Sequence, residues 1–241
     1  MFILLLSPLV TLGQDDKTPK EAQDIYNRWS DFNLAYNYDS AMHYGDLYVE
    51  YMAHNGSAGQ LITAYDHKIK SLKRFEKNNE GFELALKVFD TYCGNGLEEK
   101  NCAHCNPIYA HLADFMVTLK EYQKGIEYLN LSCDIRGNPW NYYLKAKIYV
   151  LLKQGDTAMS ITGEQITKSF EEGFPSYIIR SYNQHGLIAK ELGRYDEAIE
   201  SFKNAIDLVD SAGFDQNKYG FITGNIGACY FKLEQYNEAY Q

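Results

Sequence analysis

Proline is scarce in this chain, five in 241 residues, and beyond the first fourteen positions no apolar run is long enough to cross a bilayer. Positive charge is also in deficit. Twenty-three lysines and arginines face 32 aspartates and glutamates, a formal net charge of −9. That argues against nucleic acid as a partner, because phosphate contacts need a basic face. A negative surface is otherwise an ordinary solubility device. Strand-like alternation persists nowhere. Instead, segments of helical period are punctuated by Gly, Asn and Pro at regular intervals. What remains is an all-α chain with an ordinary apolar fraction of 45% and an abundance of tyrosine, 21 residues.

The first residues differ from the rest. Phe2 to Leu12 form a short apolar core, followed by Gly13 and the polar Gln14-Asp15-Asp16. This is the shape of a secretory signal peptide, so residues 1–13 are expected to be one and the folded part is expected to be exported, periplasmic or extracellular. The positively charged leading segment of such peptides is missing. The competing reading, a buried N-terminal helix, meets Pro8, which interrupts a helix there.

The clearest stretch of pattern runs from Tyr182 to Ala205. Two amphipathic helices meet at Gly193-Arg194-Tyr195-Asp196. Small residues (Gly186, Ala198, Ala205) fall where the helices touch, and Tyr182, Tyr195 and Phe202 fall where a neighbour presses. The pattern recurs. Ala113, Ala146, Gly186 and Gly227 mark successive first helices at steps of 33, 40 and 41 residues. Gly125, Ala158, Ala198 and Ala239 mark the matching second helices. Tyr182, Gly186, Ala189, Ala198 and Phe202 follow the grammar W-x2-L-G-x2-Y, then A-x3-F, with His185 at the usual Leu position. The chain therefore resembles the tetratricopeptide repeat family. A spacing of 33 fits the family, and 40 or 41 implies units longer by about two helical turns.

The resemblance implies an all-α, right-handed superhelix (α-solenoid) of antiparallel helix pairs, about six here. Residues 20–93 read as degenerate repeats or a helical cap, with Lys73 at the second unit's first-helix glycine position. Residues 106–241 read as repeats, the last cut short. The family's ligand surface is a concave groove lined by first helices. Carried onto this chain, it falls at His111 and Asp114, Tyr143 and Lys147, then Asn183, Leu187 and Lys190, and Asn225 with Ala228. The implied function is non-enzymatic binding of a protein or peptide, with no cofactor. Exported arrays of this kind also resemble the extracytoplasmic halves of bacterial membrane-bound histidine kinases and helix-turn-helix regulators. On that alternative the chain is an N-terminal sensory domain truncated at Gln241, with a membrane tether beyond.

Few residues suggest other chemistry. Cys102-Ala-His104-Cys105, with Cys93 nearby, has zinc-ligand types and would be the centre of an enzyme reading. Outside the cytoplasm a disulfide is the simpler expectation: Cys93 with Cys102 or Cys105, and Cys133 with the remaining loop cysteine. Cys229 reads as a small packed residue. The six histidines form no metal pair, no Ser–His–Asp set assembles, and His185 reads as a core residue. Lys70, Lys73, Arg74 and Lys77 share one helix face, either a docking stripe for an acidic partner or a solvated face. Asn55-Gly-Ser57 and Asn130-Leu-Ser132 match the glycosylation triplet without further support.

Overall fold

A computed structural model describes residues 19–94, 102–131, 139–215, 217 and 219–239, with the side chains of 102, 103 and 139 outside the description. Residues 1–13, Cys133 and the side chain of Cys102 therefore lie outside the described set, and so do the expectations placed on them. The described residues form twelve α-helices and no strand. They are α1 (Lys20–Leu34), α2 (Tyr38–Asn55), α3 (Ala58–Arg74), α4 (Asn78–Val88), α5 (Cys102–Thr118) and α6 (Tyr122–Asn130). There follow α7 (Pro139–Leu151), α8 (Gly155–Glu172), α9 (Pro175–Glu191), α10 (Tyr195–Ser211), α11 (Gly220–Lys232) and α12 (Tyr236–Ala239). Consecutive helices pack antiparallel, the architecture of the α-solenoid class.

One turn geometry joins the two helices of every pair. Tyr36, Glu76, Lys120, Lys153, Gly193 and Glu234 all adopt left-handed backbone, with φ between 57° and 75°. In each turn the next residue's N–H donates to a carbonyl five residues back: Asn37 to Phe32, Lys77 to Leu72, Glu121 to Met116, Gln154 to Tyr149, Arg194 to Ala189 and Gln235 to Tyr230. This closure satisfies carbonyls that the end of a helix leaves without a partner. Glycine tolerates such a φ best, yet it stands at one of the six positions; the rest carry the cost of a side chain there. The turns also put the first third of the chain in register with the rest, which its weak sequence pattern left open.

The chain divides into two compact units, one up to Gly81 and one from Phe82. In the first, Trp29 is buried and its indole lies over Gly45, where an added Cβ would come within 3.0 Å of it. Tyr26, Tyr48 and His67 surround that indole at ring-centroid distances of 5.8 to 6.2 Å. Phe32 is half-buried and stacks on Tyr44.

In the second unit the core runs between pairs. Phe202, Ala198 and Ala205 are fully buried, and an added Cβ on Gly186 would meet the Phe202 ring at 2.7 Å. The small residue sets how closely α9 and α10 approach, and the large one fills the space created. Burying Phe202 is worth about 3 kcal/mol or more, judged by what truncating such a residue costs.

Candidate functional site

The first helices of the second unit, α5, α7, α9 and α11, pack side by side in that order. Their repeat phase brings Asp114, Lys147, Leu187 and Ala228 to equivalent positions, one per helix. Tyr143, Asn183 and Gly224 form the adjacent row. Within this frame the expected binding residues are not equally open. Asp114, Tyr143, Lys147, Asn183, Leu187, Lys190 and Asn225 are half-buried, their tips reaching the surface, while Ala228 is exposed. His111 is buried at 8% exposure and leaves little surface for a partner.

Two of these residues are brought together across helices. Lys190 Nζ donates to Asn225 Oδ1 at 2.6 Å, joining α9 to α11. Tyr143 is held as a phenol, pushed up to about 12 by burial and by the charge of Glu191. Asn183 Oδ1 is buried and has no hydrogen-bond partner. A carbonyl oxygen in that state is poised to accept from a donor that approaches the face.

The cysteines resolve into a bond. Cys93 and Cys105 form a disulfide, both sulfurs buried, where the π-helical turn Phe89–Cys93 meets α5. The Tyr109 hydroxyl donates to the Cys93 carbonyl at 3.1 Å. His104 is half-buried, and burial lowers its pKa. Among the described residues no group of three or more His, Cys, Asp or Glu side chains is placed to hold a metal ion.

The lysine–arginine face of α3 is turned onto its own unit. Lys70 pairs with the buried Asp66 at 2.7 Å, Arg74 lies over the Tyr36 ring and Lys77 over the Tyr38 ring. Such contacts hold a cation against an aromatic face and leave less of it for a partner. His185 is packed: its Nδ1 hydrogen-bonds Ser201 Oγ at 2.8 Å, and burial lowers its pKa.

A polar seam escaped the sequence reading. Gln165 on α8 donates from Nε2 to Ser181 Oγ at 3.1 Å and to Gln184 Oε1 at 2.5 Å on α9, and Ser169 Oγ lies 2.6 Å from Ser181 Oγ. All four residues are buried. The available signal was a set of polar residues at the helical spacing of a buried stripe, which looks like a solvated face until its neighbour is known.

Residues 177–240 match the tetratricopeptide repeat family. No curated protein matches the chain. Solved structures resemble it in fold. A tetratricopeptide repeat protein from Parabacteroides merdae aligns at 15% identity over 91% of this chain and 76% of its own, with a TM-score of 0.54. The nearly identical TPR-like repeats of a putative kinesin light chain from Podosopora anserina align at 11% identity over 82% of this chain and 99% of theirs, with a TM-score of 0.57. The apo form of RapI aligns at 14% identity over 91% of this chain and 62% of its own, with a TM-score of 0.55.

Proposed function

Since the chain belongs to the tetratricopeptide repeat family, we propose that it is a non-enzymatic scaffold that binds a protein or peptide along the first helices of its second unit. One observation carries this: four adjacent first helices hold half-open side chains in matching register, Lys147, Asn183 and Leu187 among them. The buried, unpartnered Asn183 Oδ1 supports a ligand that donates hydrogen bonds there, as a peptide backbone does. The buried side of the same helices supplies rigidity, so a ligand would meet a preformed surface and lose less entropy on docking.

The test is selection of a displayed random-peptide library on the purified chain, followed by anisotropy titration of the enriched peptides. Peptides that bind wild type and lose roughly tenfold or more in affinity with Leu187→Glu support the groove. An empty selection, or equal binding to that variant, rejects it. A circular-dichroism melt confirms that the variant is folded.

Export is part of the proposal and rests on the apolar segment Phe2–Leu12 ahead of Gly13. Expression in a secreting host with mass analysis of the product tests it: a chain beginning near Gln14 outside the cytoplasm is expected. Recovery of uncleaved chain inside the cell counts against export. If the chain is instead the input half of a membrane-bound signalling protein, the same groove is its input site. The coding sequence past Gln241 decides between the two.

A further inference from the structure

The groove register changes character on α11. A step of 41 residues carries Arg180, Asn183, Leu187 and Lys190 of α9 onto Phe221, Gly224, Ala228 and Phe231 of α11. All four α11 residues are exposed, Phe221 at 39% and Phe231 at 57%. The two rings are ten residues apart, or ~15 Å along a helix, with only small residues between them on that face. The face is a shallow slot with aromatic ends and an apolar floor. It continues the rows already occupied by Asn183 and Leu187 next door.

The floor glycine has no packing reason inside the described structure. On Gly186 an added Cβ would strike Phe202, and on Gly227 it would meet the Ala239 carbonyl oxygen at 3.2 Å. On Gly224 it would meet nothing within 4 Å. A glycine in a helix interior costs ~1 kcal/mol relative to alanine. Here that cost keeps open a space that no other part of the described chain fills.

Charge sorts the surroundings. Lys147 and Arg180 stand on the groove register of α7 and α9, where Asp114 of α5 is the acidic member. The exposed faces of the second helices carry Glu164 and Glu171 on α8, then Glu200 and Asp207 on α10. An acidic segment is repelled from those faces and attracted to the groove.

We propose that the α11 slot seats one bulky apolar side chain of an acidic peptide segment, whose carboxylates lie toward Lys147 and Arg180. This rests on the groove reading above and names its ligand class. The apolar anchor supplies burial at Phe221 and Phe231, and the carboxylates set direction along the groove.

The probe is a labelled peptide with a phenylalanine set among glutamates, titrated by anisotropy beside two controls, one with alanine for the phenylalanine and one with lysines for the glutamates. The library selection above runs in parallel on wild type and on Gly224→Leu. Gly224 is exposed with free space, so leucine fills the slot without disturbing the fold, and an unchanged melt verifies this. The expected result is binding of the acidic phenylalanine peptide, weaker by on the order of tenfold with Gly224→Leu, with Lys147→Glu or with either control peptide. The Lys147 effect should shrink as salt rises. If peptides bind, lose affinity with Leu187→Glu and ignore both Gly224→Leu and the anchor, the slot is refuted and the groove stands. If selected peptides are basic, the charge assignment is refuted. If nothing binds, the groove reading fails and this inference fails with it.

Discussion

At the scale of single residues, stability is carried by contacts between small and large side chains rather than by exposed charges. Phe202→Ala should cost ~3–5 kcal/mol, because the ring fills the space beside Gly186 and that site cannot collapse onto a helix backbone already in contact. Chemical denaturation measures it. Ion pairs such as Arg194 with Asp156 are exposed, and their removal should change stability far less. The buried histidines predict a pH response. Burial lowers the pKa of both His67 and His185 in the fold, so the unfolded chain takes up protons first as pH drops. Stability is fully present above the ordinary histidine pKa, about 6.5, and is lost as pH falls through it. The melting temperature should therefore decline from about pH 7.5 to pH 5.5, and His185→Gln should flatten that slope while keeping the Ser201 hydrogen bond available. A melt that is flat in wild type across this range would contradict the assignment.

At the scale of elements, the six left-handed turns make the sharpest prediction. Lys153 and Glu234 occupy a backbone region that disfavours side chains, whereas Gly193 does so at little steric cost. Lys153→Gly should stabilise by roughly 0.5 kcal/mol, since part of the strain relieved is offset by the freer unfolded chain. Gly193→Lys should destabilise by about 1 kcal/mol. Both are read from denaturant midpoints. The disulfide acts on another element, tying the π-helical turn Phe89–Cys93 to α5 across a separation of 12 residues. Reduction should cost about 2–3 kcal/mol by releasing loop-closure entropy in the unfolded chain. The reductant should have no such effect on a Cys93→Ala, Cys105→Ala variant.

At the scale of the molecule, repetition decided what could be read from sequence. The steps of 33, 40 and 41 residues were legible because each unit repeats one small–large packing rule, and the left-handed turns at Lys120, Lys153, Gly193 and Glu234 keep those steps. The first third was harder. Its turns at Tyr36 and Glu76 have the same geometry, but neither carries the glycine that announces a turn in sequence. Groove positions were legible as phase, one helix face per repeat. Openness was not: the burial of His111 and the union of Lys190 with Asn225 depend on neighbours that phase does not encode. The Gln165–Ser181–Gln184 seam was hidden for the same reason, since polar residues on one face look alike whether that face meets water or another helix.

The forty-residue step from Lys153 to Gly193 contains α8 and α9, of 18 and 17 residues, joined near the left-handed Gly173. Compared with a 33-residue step, the added seven residues amount to about one turn on each arm of an antiparallel hairpin, a rise of ~5 Å at its tip. Phe170 and Phe174 stand exposed at that tip, at 51% and 55%. Length in this array is thus added in matched turns, outward and back, so that every first helix re-enters the stack in phase. Trimming one arm by three or four residues should break that phase, whereas shortening both arms together should leave the neighbouring pairs undisturbed.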